Sequence, residues 1–265
     1  MKLSRRRAIL LGVLAVAVPS GVLAATVKGK VVNTSELLNP VWNEAKDPGS
    51  HRYTFREPSP SVPADARILR GHLSKEVCIV ALTEGKAEPL KKPIRVVVEG
   101  GRTSPVTLVV AEKQEILFEN HDPWDHAIYE VSEKGGLTRG TMTPEKAGSE
   151  SHKRTWTPPG PGVYEIRDEI SPGLRSWVVV EPRTHRALFP NRKGDFDKLE
   201  LDPGNYTLVA YYSGKQVGEP LPFEVKPAPA EQPLKDPLKA GPDKKAPEKK
   251  DEKDDKKPDP TKGGG

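Results

Sequence analysis

The sequence has one cysteine and lacks the motifs from which recognisable catalytic and metal sites are built. Cys78 is the only cysteine among 265 residues, which excludes an internal disulfide bond. No Gly-rich phosphate loop precedes a helix pattern, and no pair of histidines has the spacing of a zinc-binding helix. The run EVCIVAL that contains Cys78 instead predicts a strand with a buried thiol. Chemistry that depends on such motifs is therefore not expected.

The chain also lacks an excess of one charge once its first segment is set aside. It has 42 Lys and Arg against 37 Asp and Glu. Four of the basic residues lie within residues 1–24, so 38 remain beyond that segment, interleaved with the 37 acidic ones. A nucleic-acid site gathers basic residues with aromatics on one element. Because no such grouping occurs, nucleic acid is not an expected partner.

Residues 1–24 have the pattern of an export signal. Basic residues precede an apolar run over residues 8–18, and small residues lead up to Ala24. The pair Arg6-Arg7 resembles a twin-arginine signal. We expect cleavage after Ala24 and a periplasmic or secreted mature chain, with an uncleaved anchor as the alternative. No later run approaches the roughly 20 apolar residues of a membrane helix, so the mature chain is expected to have no membrane span.

The rest of the chain before residue 227 predicts an all-β fold. The 28 Pro and 23 Gly favour turns over long helices. Short runs rich in Val, Ile, Leu and aromatics follow one another closely, which is typical of a β-sandwich. The interval from about residue 33 to residue 73 shows no period and predicts a long loop. The strand-like runs include EVCIVAL, IRVVVEG, VTLVVAE, QEILFEN, HAIYEV, GVYEIRDE, RSWVVVE and NYTLVAYYS.

Residues 227–265 differ sharply in composition from the rest. They contain ten Lys, nine Asp or Glu and eight Pro, and no aromatic residue. Such a segment has too little apolar surface to offset the entropy of ordering. We therefore expect a disordered C-terminal tail that begins at residue 227.

Residues 93–181 resemble the cupredoxins, in particular the plastocyanin-like exported proteins. The resemblance rests on the strand QEILFEN followed by HDPWDHAIYEV, and on the later stretch YEIRDEISPGLRSWVVV. In that family an Asn-x-Asp turn precedes the first ligand histidine, and Asn120, Asp122 and His126 fit this pattern. The resemblance implies a Greek-key β-sandwich over these residues.

The same resemblance implies that the copper site has been lost. Aligned with the family pattern, Asp168 stands at the cysteine, Ser171 at the second histidine and Leu174 at the methionine. A blue-copper site needs a thiolate and two imidazoles, so only His126 remains of the vestigial positions His126, Asp168, Ser171 and Leu174. We expect no copper, no other cofactor and no catalytic residue.

Two interpretations of His126 stay open at this point. As a relic, its imidazole would be hydrogen-bonded to the backbone or to Asp168. As a ligand, it could hold Zn or Cu weakly together with Asp168 and His121. The neighbouring Trp124 and Asp125 make a partner contact at this turn a further expectation.

The two flanks of this block resemble a carboxypeptidase regulatory-like domain, a small transthyretin-like β-sandwich. The resemblance rests on Gly194-Asp195-Phe196 and on the run LDPGNYTL from Leu201. Alternation in these runs predicts that Phe196, Leu201, Tyr206 and Leu208 point inward. The implied organisation is a flanking sandwich over residues 25–92 with 182–226 that surrounds, or lies next to, the cupredoxin-like block.

Three functions remain at this stage. The first is a non-enzymatic exported binding or assembly module, whose contact loops span residues 121–126 and 168–174. The second is a weak non-blue metal protein that uses His126 and Asp168. The third is a carbohydrate or cell-wall binder that uses the flanking sandwich. The expected partner is accordingly a protein or a cell-envelope glycan.

Overall fold

A computed structural model describes residues 24–39, 61, 63 and 70–241. The predicted export signal, most of the loop predicted between residues 33 and 73, and residues 242–265 lie outside the described residues. A 3-10 turn at Thr34–Glu36 and a short helix α1 at Leu73–Glu76 accompany the strands. The strands are β1 (Ala25–Val32), β2 (Val77–Leu82), β3 (Ile94–Glu99), β4 (Arg102–Ser104), β5 (Thr107–Val110), β6 (Ile116–Asn120), β7 (His126–Glu130), β8 (Gly140–Met142), β9 (Lys153–Trp156), β10 (Gly162–Asp168), β11 (Arg175–Val180), β12 (Thr184–Leu188), β13 (Asp195–Leu201), β14 (Gly204–Tyr212), β15 (Lys215–Val225), β16 (Glu231–Pro233) and β17 (Leu238–Lys239).

These strands form four sheets, which are numbered by their position in the stack. Sheet 1 has the order β13-β1-β16, with β17 also paired to β1, and sheet 2 has the order β12-β2-β14-β15. Sheet 3 has the order β5-β11-β10-β7-β8, and sheet 4 has the order β4-β3-β6-β9. Within sheets 3 and 4 the pairs β5–β11 and β3–β6 are parallel. The chain passes repeatedly between these two sheets, so their strands form one sandwich.

The alternation of side chains in β2 explains how the sheets stack. All six residues of β2 are buried, so both faces of this strand must be covered. Val77, Ile79 and Ala81 pack into the core between sheets 1 and 2. Cys78 and the other even positions pack on the opposite face, against residues of sheet 3. A continuous apolar run is what a strand covered on both faces requires.

Three apolar layers therefore hold four sheets together. The layer between sheets 3 and 4 contains Phe118, Ile128 and Ile166. The layer between sheets 2 and 3 joins the two sandwiches, and Val109 and Val179 of sheet 3 lie in it. Burial of apolar side chains contributes about 25 cal/mol for each Å² removed from water. The joining layer thus ties the flanking sheets to the central block.

The predicted fold class, all-β with two adjacent sandwiches, is confirmed. The strands of sheets 3 and 4 all come from residues 94–180, and those of sheets 1 and 2 come from the two flanks. The inward orientation predicted for Phe196, Leu201, Tyr206 and Leu208 is also confirmed, because all four lie in the core between sheets 1 and 2. The likeness of these sheets to a carboxypeptidase regulatory-like domain stays a prediction.

The predicted start of the disordered tail at residue 227 was wrong. β16 and β17 follow that residue and pair in parallel with β1. Leu238 and Ala240 belong to the core between sheets 1 and 2, and the Gln232 side chain bonds to the backbone of Lys226. Composition averaged over the whole segment concealed these few apolar and amide side chains. The sandwich therefore extends to residue 241.

The prediction of a buried Cys78 is confirmed. The side chain is fully buried between sheets 2 and 3. Burial raises the pKa of its thiol to about 12, because the thiolate would be desolvated. A thiol in that state is neither a nucleophile nor a metal ligand at neutral pH. Among the described residues, no helix is long and apolar enough to cross a membrane.

Candidate functional site

The candidate site lies at the end of the central sandwich, where β6 leads into β7. The Asn120 side chain holds the connecting turn from inside. Its Oδ1 accepts a hydrogen bond of 2.8 Å from the Asp122 amide, and its Nδ2 donates to the carbonyls of Trp124 and Met142 at 2.8 and 3.0 Å. Asn120 is fully buried. The Asn-x-Asp pattern in the sequence therefore marks a turn that is fixed by its own side chain.

His126 begins β7 and is completely buried. Its Nε2 lies 2.9 Å from Oδ2 of Asp122, four residues earlier in the same turn. Its Nδ1 forms a short contact with Oδ2 of Asp168, which ends β10. The predicted neighbourhood of His126 and Asp168 is confirmed by this contact. We call the three side chains the Asp-His-Asp unit.

Asp168 is fixed by backbone donors as well as by the imidazole. Its Oδ1 accepts hydrogen bonds from the Ala127 amide at 2.7 Å and from the Ile170 amide at 3.0 Å. Its side chain has no exposed surface. Both carboxylate oxygens of Asp168 are therefore engaged, and Oδ1 links β7 to the loop after β10.

Asp122 receives similar support from a glycine pair. The amides of Gly100 and Gly101 donate to its two oxygens at 2.6 and 2.8 Å. Burial alone would raise the pKa of the Asp122 carboxyl, but these amides and His126 outweigh it, so the pKa lies below its ordinary value. Both glycines have positive φ angles, 64° and 67°, which aim successive amides at one side chain. The site thus favours an ionised Asp122.

The hydrogen bonds of the unit engage both nitrogens of the His126 ring. Each ring nitrogen lies at hydrogen-bonding distance from one carboxyl oxygen, Nε2 from Asp122 and Nδ1 from Asp168. A metal ligand needs an imidazole nitrogen whose lone pair is free. Both nitrogens of His126 face carboxyl oxygens instead.

The residues at this end do not fit a blue-copper ion. The set contains one imidazole and no thiolate, because Cys78 lies in the layer between sheets 2 and 3. Within the described part of the chain, no group of three or more His, Cys, Asp or Glu side chains is arranged to hold a metal ion.

The remaining sequence-predicted positions lie outside the unit. Leu174 is fully buried in the core between sheets 3 and 4, and its amide bonds to the carbonyl of Ser171. Ser171 is half-buried beside Gly101. His121 lies 3.1 Å from the guanidinium of Arg95 and is directed to the outside of β6. Of the four vestigial positions, the structure therefore brings together only His126 and Asp168.

The loops around the buried unit present apolar side chains to solvent. Trp124 is 43% exposed, and its ring centroid lies 6.0 Å from that of His126. Ile170 is 49% exposed, and its amide donates a hydrogen bond to Asp168. We call Trp124, Ile170 and the loops that carry them the end surface. Its shape is fixed from below by the Asp-His-Asp unit.

Sequence reasoning missed Asp122 as the second partner of His126. The spacing of four residues between them was visible, but the residues between are not helical, so spacing alone did not predict contact. It also missed the role of Gly100 and Gly101, which lie about twenty positions earlier in the chain. Their adjacency in a strand connection was the one available signal.

Comparison with known proteins returned structural neighbours only. No protein-family model matches this chain, and no curated protein matches it. A purple cupredoxin from Nitrosopumilus maritimus matches with 16% identity, 33% of this chain and 99% of that chain covered, and a TM-score of 0.28. A Cu(I) form of an amicyanin variant matches with 21% identity, 39% and 98% coverage, and a TM-score of 0.29.

Proposed function

We propose that this chain is an exported, non-enzymatic protein whose cupredoxin-like sandwich has exchanged its copper site for the Asp-His-Asp unit. The observation that carries the proposal is that both nitrogens of His126 face buried carboxylates. The unit then serves as a rigid support for the end surface. The protein acts through that surface as a binding or assembly module, in keeping with the way loops on rigid sheets serve recognition.

Metal analysis tests the first half of the proposal. The mature protein is purified without chelator, its Cu and Zn contents are measured, and it is then titrated with each ion. We expect no stoichiometric metal and no saturable binding that depends on His126. One equivalent of metal that is lost in His126→Ala would instead establish the alternative, a non-blue site at His126 and Asp168.

Photo-cross-linking tests the second half. A photoreactive residue is placed at Trp124 in the exporting cell, and the matched control is Val131. Both side chains are 43% exposed, but Val131 follows the far end of β7, about 17 Å along the strand. We expect an adduct of one defined mass from position 124 and none from position 131. Equal results at the two positions would refute a specific contact through the end surface.

A further inference from the structure

A second candidate site lies in the flanking sandwich, far along the chain from the Asp-His-Asp unit. It is a cleft of about 400 Å³ at the end of sheet 2. Small-molecule sites are typically clefts of about 300–1,000 Å³ with a few placed polar groups. The cleft is lined by Leu82, Thr83, Glu84, Arg183, Asn205, Tyr206, Thr207, Pro222, Phe223 and Glu224.

Strand pairing explains why these residues converge. Asn205 of β14 lies opposite Glu224 of β15, and Thr207 lies opposite Pro222. Thr207 also lies opposite Leu82 of β2. Directly paired residues point to the same face of a sheet. The cleft is therefore one face of three adjacent strands, at the end that sheet 3 does not cover.

Three polar side chains in the cleft, those of Asn205, Thr207 and Glu224, are unpaired, whereas Thr83 and Arg183 are already bonded. Asn205 and Glu224 are exposed, and Thr207 is half-buried. Unlike the carboxylates around His126, their side chains form no hydrogen bond to any described residue. Together they offer amide donors, a hydroxyl group and carboxylate acceptors on one face. A ligand with many hydroxyl groups can pair with all of them.

The cleft also offers apolar contact. Pro222 is exposed on the same face as its cross-strand partner Thr207, whereas Tyr206 and Phe223 point to the opposite face and pack in the core between sheets 1 and 2. The C–H faces of a pyranose ring pack on such surfaces, while its hydroxyl groups point outward to polar side chains. The exposed ring of Pro222 next to the unpaired groups of Asn205, Thr207 and Glu224 thus gives an oligosaccharide both kinds of contact.

Two other ligand classes fit the cleft less well. An anion would meet the carboxylates of Glu84 and Glu224, and the one lining cation, Arg183, already bonds to Glu181 at 3.0 Å. A peptide strand would add to β15, the edge of sheet 2. Pro220 and Pro222 on that strand have no N–H to donate, and proline protects edge strands from pairing.

We infer that the cleft between β2, β14 and β15 binds a neutral oligosaccharide. The inference is independent of the proposed function of the end surface, since the two sites share no residue. The sequence left carbohydrate binding by the flanking sandwich open as an alternative, and the inference names the side chains that would carry it out.

The test uses the mature protein and a panel of soluble neutral oligosaccharides. The panel holds tetramers of glucose, mannose, galactose and N-acetylglucosamine, with a polygalacturonate tetramer as the anionic comparison. Affinity is measured by calorimetry and by amide shifts in NMR spectra. We expect at least one neutral tetramer to bind, with shifts at β14 and β15, and at least a tenfold weaker affinity in Asn205→Ala and in Thr207→Val.

Glu219→Gln provides the matched control for Glu224→Gln. Both glutamates are exposed on β15, but only Glu224 lines the cleft. We expect Glu224→Gln to weaken binding by at least threefold and Glu219→Gln to leave it unchanged. The inference is overturned if no neutral tetramer binds, if only the anionic tetramer binds, or if the cleft variants bind as tightly as the Glu219 variant. None of these results bears on the cross-linking at Trp124.

Discussion

The polar groups of the Asp-His-Asp unit and those of the cleft differ in where their hydrogen bonds go. In the unit, each carboxylate oxygen of Asp122 and Asp168 has at least one donor from the protein itself. In the cleft, Asn205 and Glu224 have no partner among the described residues and face solvent. A buried polar group without a hydrogen-bond partner lowers the stability of the fold by about 1–3 kcal/mol. Polar groups that stay unpaired until a ligand binds must therefore be exposed to solvent.

This difference distinguishes a group of side chains that supports the fold from one that can bind a ligand. The unit lies at the position where the sequence suggested a metal site, yet its groups are already satisfied by one another. Asn205 and Thr207 of the cleft lie in the run LDPGNYTL, which predicted a strand rather than a binding site, yet their side chains make no hydrogen bond to a described residue. The position of a residue in a family pattern is therefore a weaker guide to binding than the number of its hydrogen bonds that remain open.

Loss of one buried partner should have the largest effect on stability. Asp168→Ala leaves Nδ1 of His126 and two backbone amides without an acceptor. Each buried polar group left without a partner costs about 1–3 kcal/mol, so we expect a total loss of about 3–5 kcal/mol in urea unfolding at pH 7. The control is Glu169→Ala, whose side chain is 62% exposed and should contribute less than about 1 kcal/mol. Equal losses in both variants would show that the unit is not a structural support.

Replacement of Asp122 should lower the free energy of unfolding by a smaller amount, and this amount should depend on pH. Its pKa is lowered in the folded state from an ordinary 3.8, so its stabilising effect is present above pH 3.8 and is lost as the pH falls through the lower folded value. We expect Asp122→Asn to cost about 1.5–3 kcal/mol at pH 7, typical of hydrogen bonds to a charged group. The difference from the native chain should vanish in acid. A difference that stays constant from pH 7 to pH 3 would contradict an ionised Asp122.

A truncated side chain in the apolar layer that joins the two sandwiches should lower the free energy of unfolding by about 1–2 kcal/mol. Val179→Ala removes two carbons from the contact between sheets 2 and 3, at about 0.8 kcal/mol for each buried group. Val163 is its strand partner on the same face and is 57% exposed. Val163→Ala should change the free energy of unfolding by less than about 0.5 kcal/mol. Two separate unfolding transitions in Val179→Ala would mean that the sandwiches fold independently.

The cleft should give the smallest effect on stability. Asn205→Ala and Glu224→Gln remove exposed groups that make no hydrogen bond, so we expect changes within about 0.5 kcal/mol in urea unfolding. A loss comparable to that of Asp122→Asn would mean that these side chains are structural. In that case the contrast between the two regions would disappear.

Local patterns predicted a large part of the fold and one contact of the site. The run VCIVAL predicted a buried strand, and the Asn-x-Asp turn with His126 after it predicted the end of β6 and the start of β7. The family register also predicted that Asp168 would lie next to His126. The boundary at residue 227 could not be predicted from composition, because Gln232 and Leu238 are ordered by pairing with β1 rather than by their neighbours in sequence.

By itself the sequence determined most of the longer strands, the burial of β2, the inward face of β14 and the absence of a thiolate beside His126, since these depend on residue type and a period of two. Only the tertiary structure decided that Asp122 engages the second nitrogen of His126 and that Asn205, Thr207 and Glu224 share a cleft with Leu82. Those side chains come from separate strands. Their meeting depends on pairing register, which no local stretch of sequence encodes.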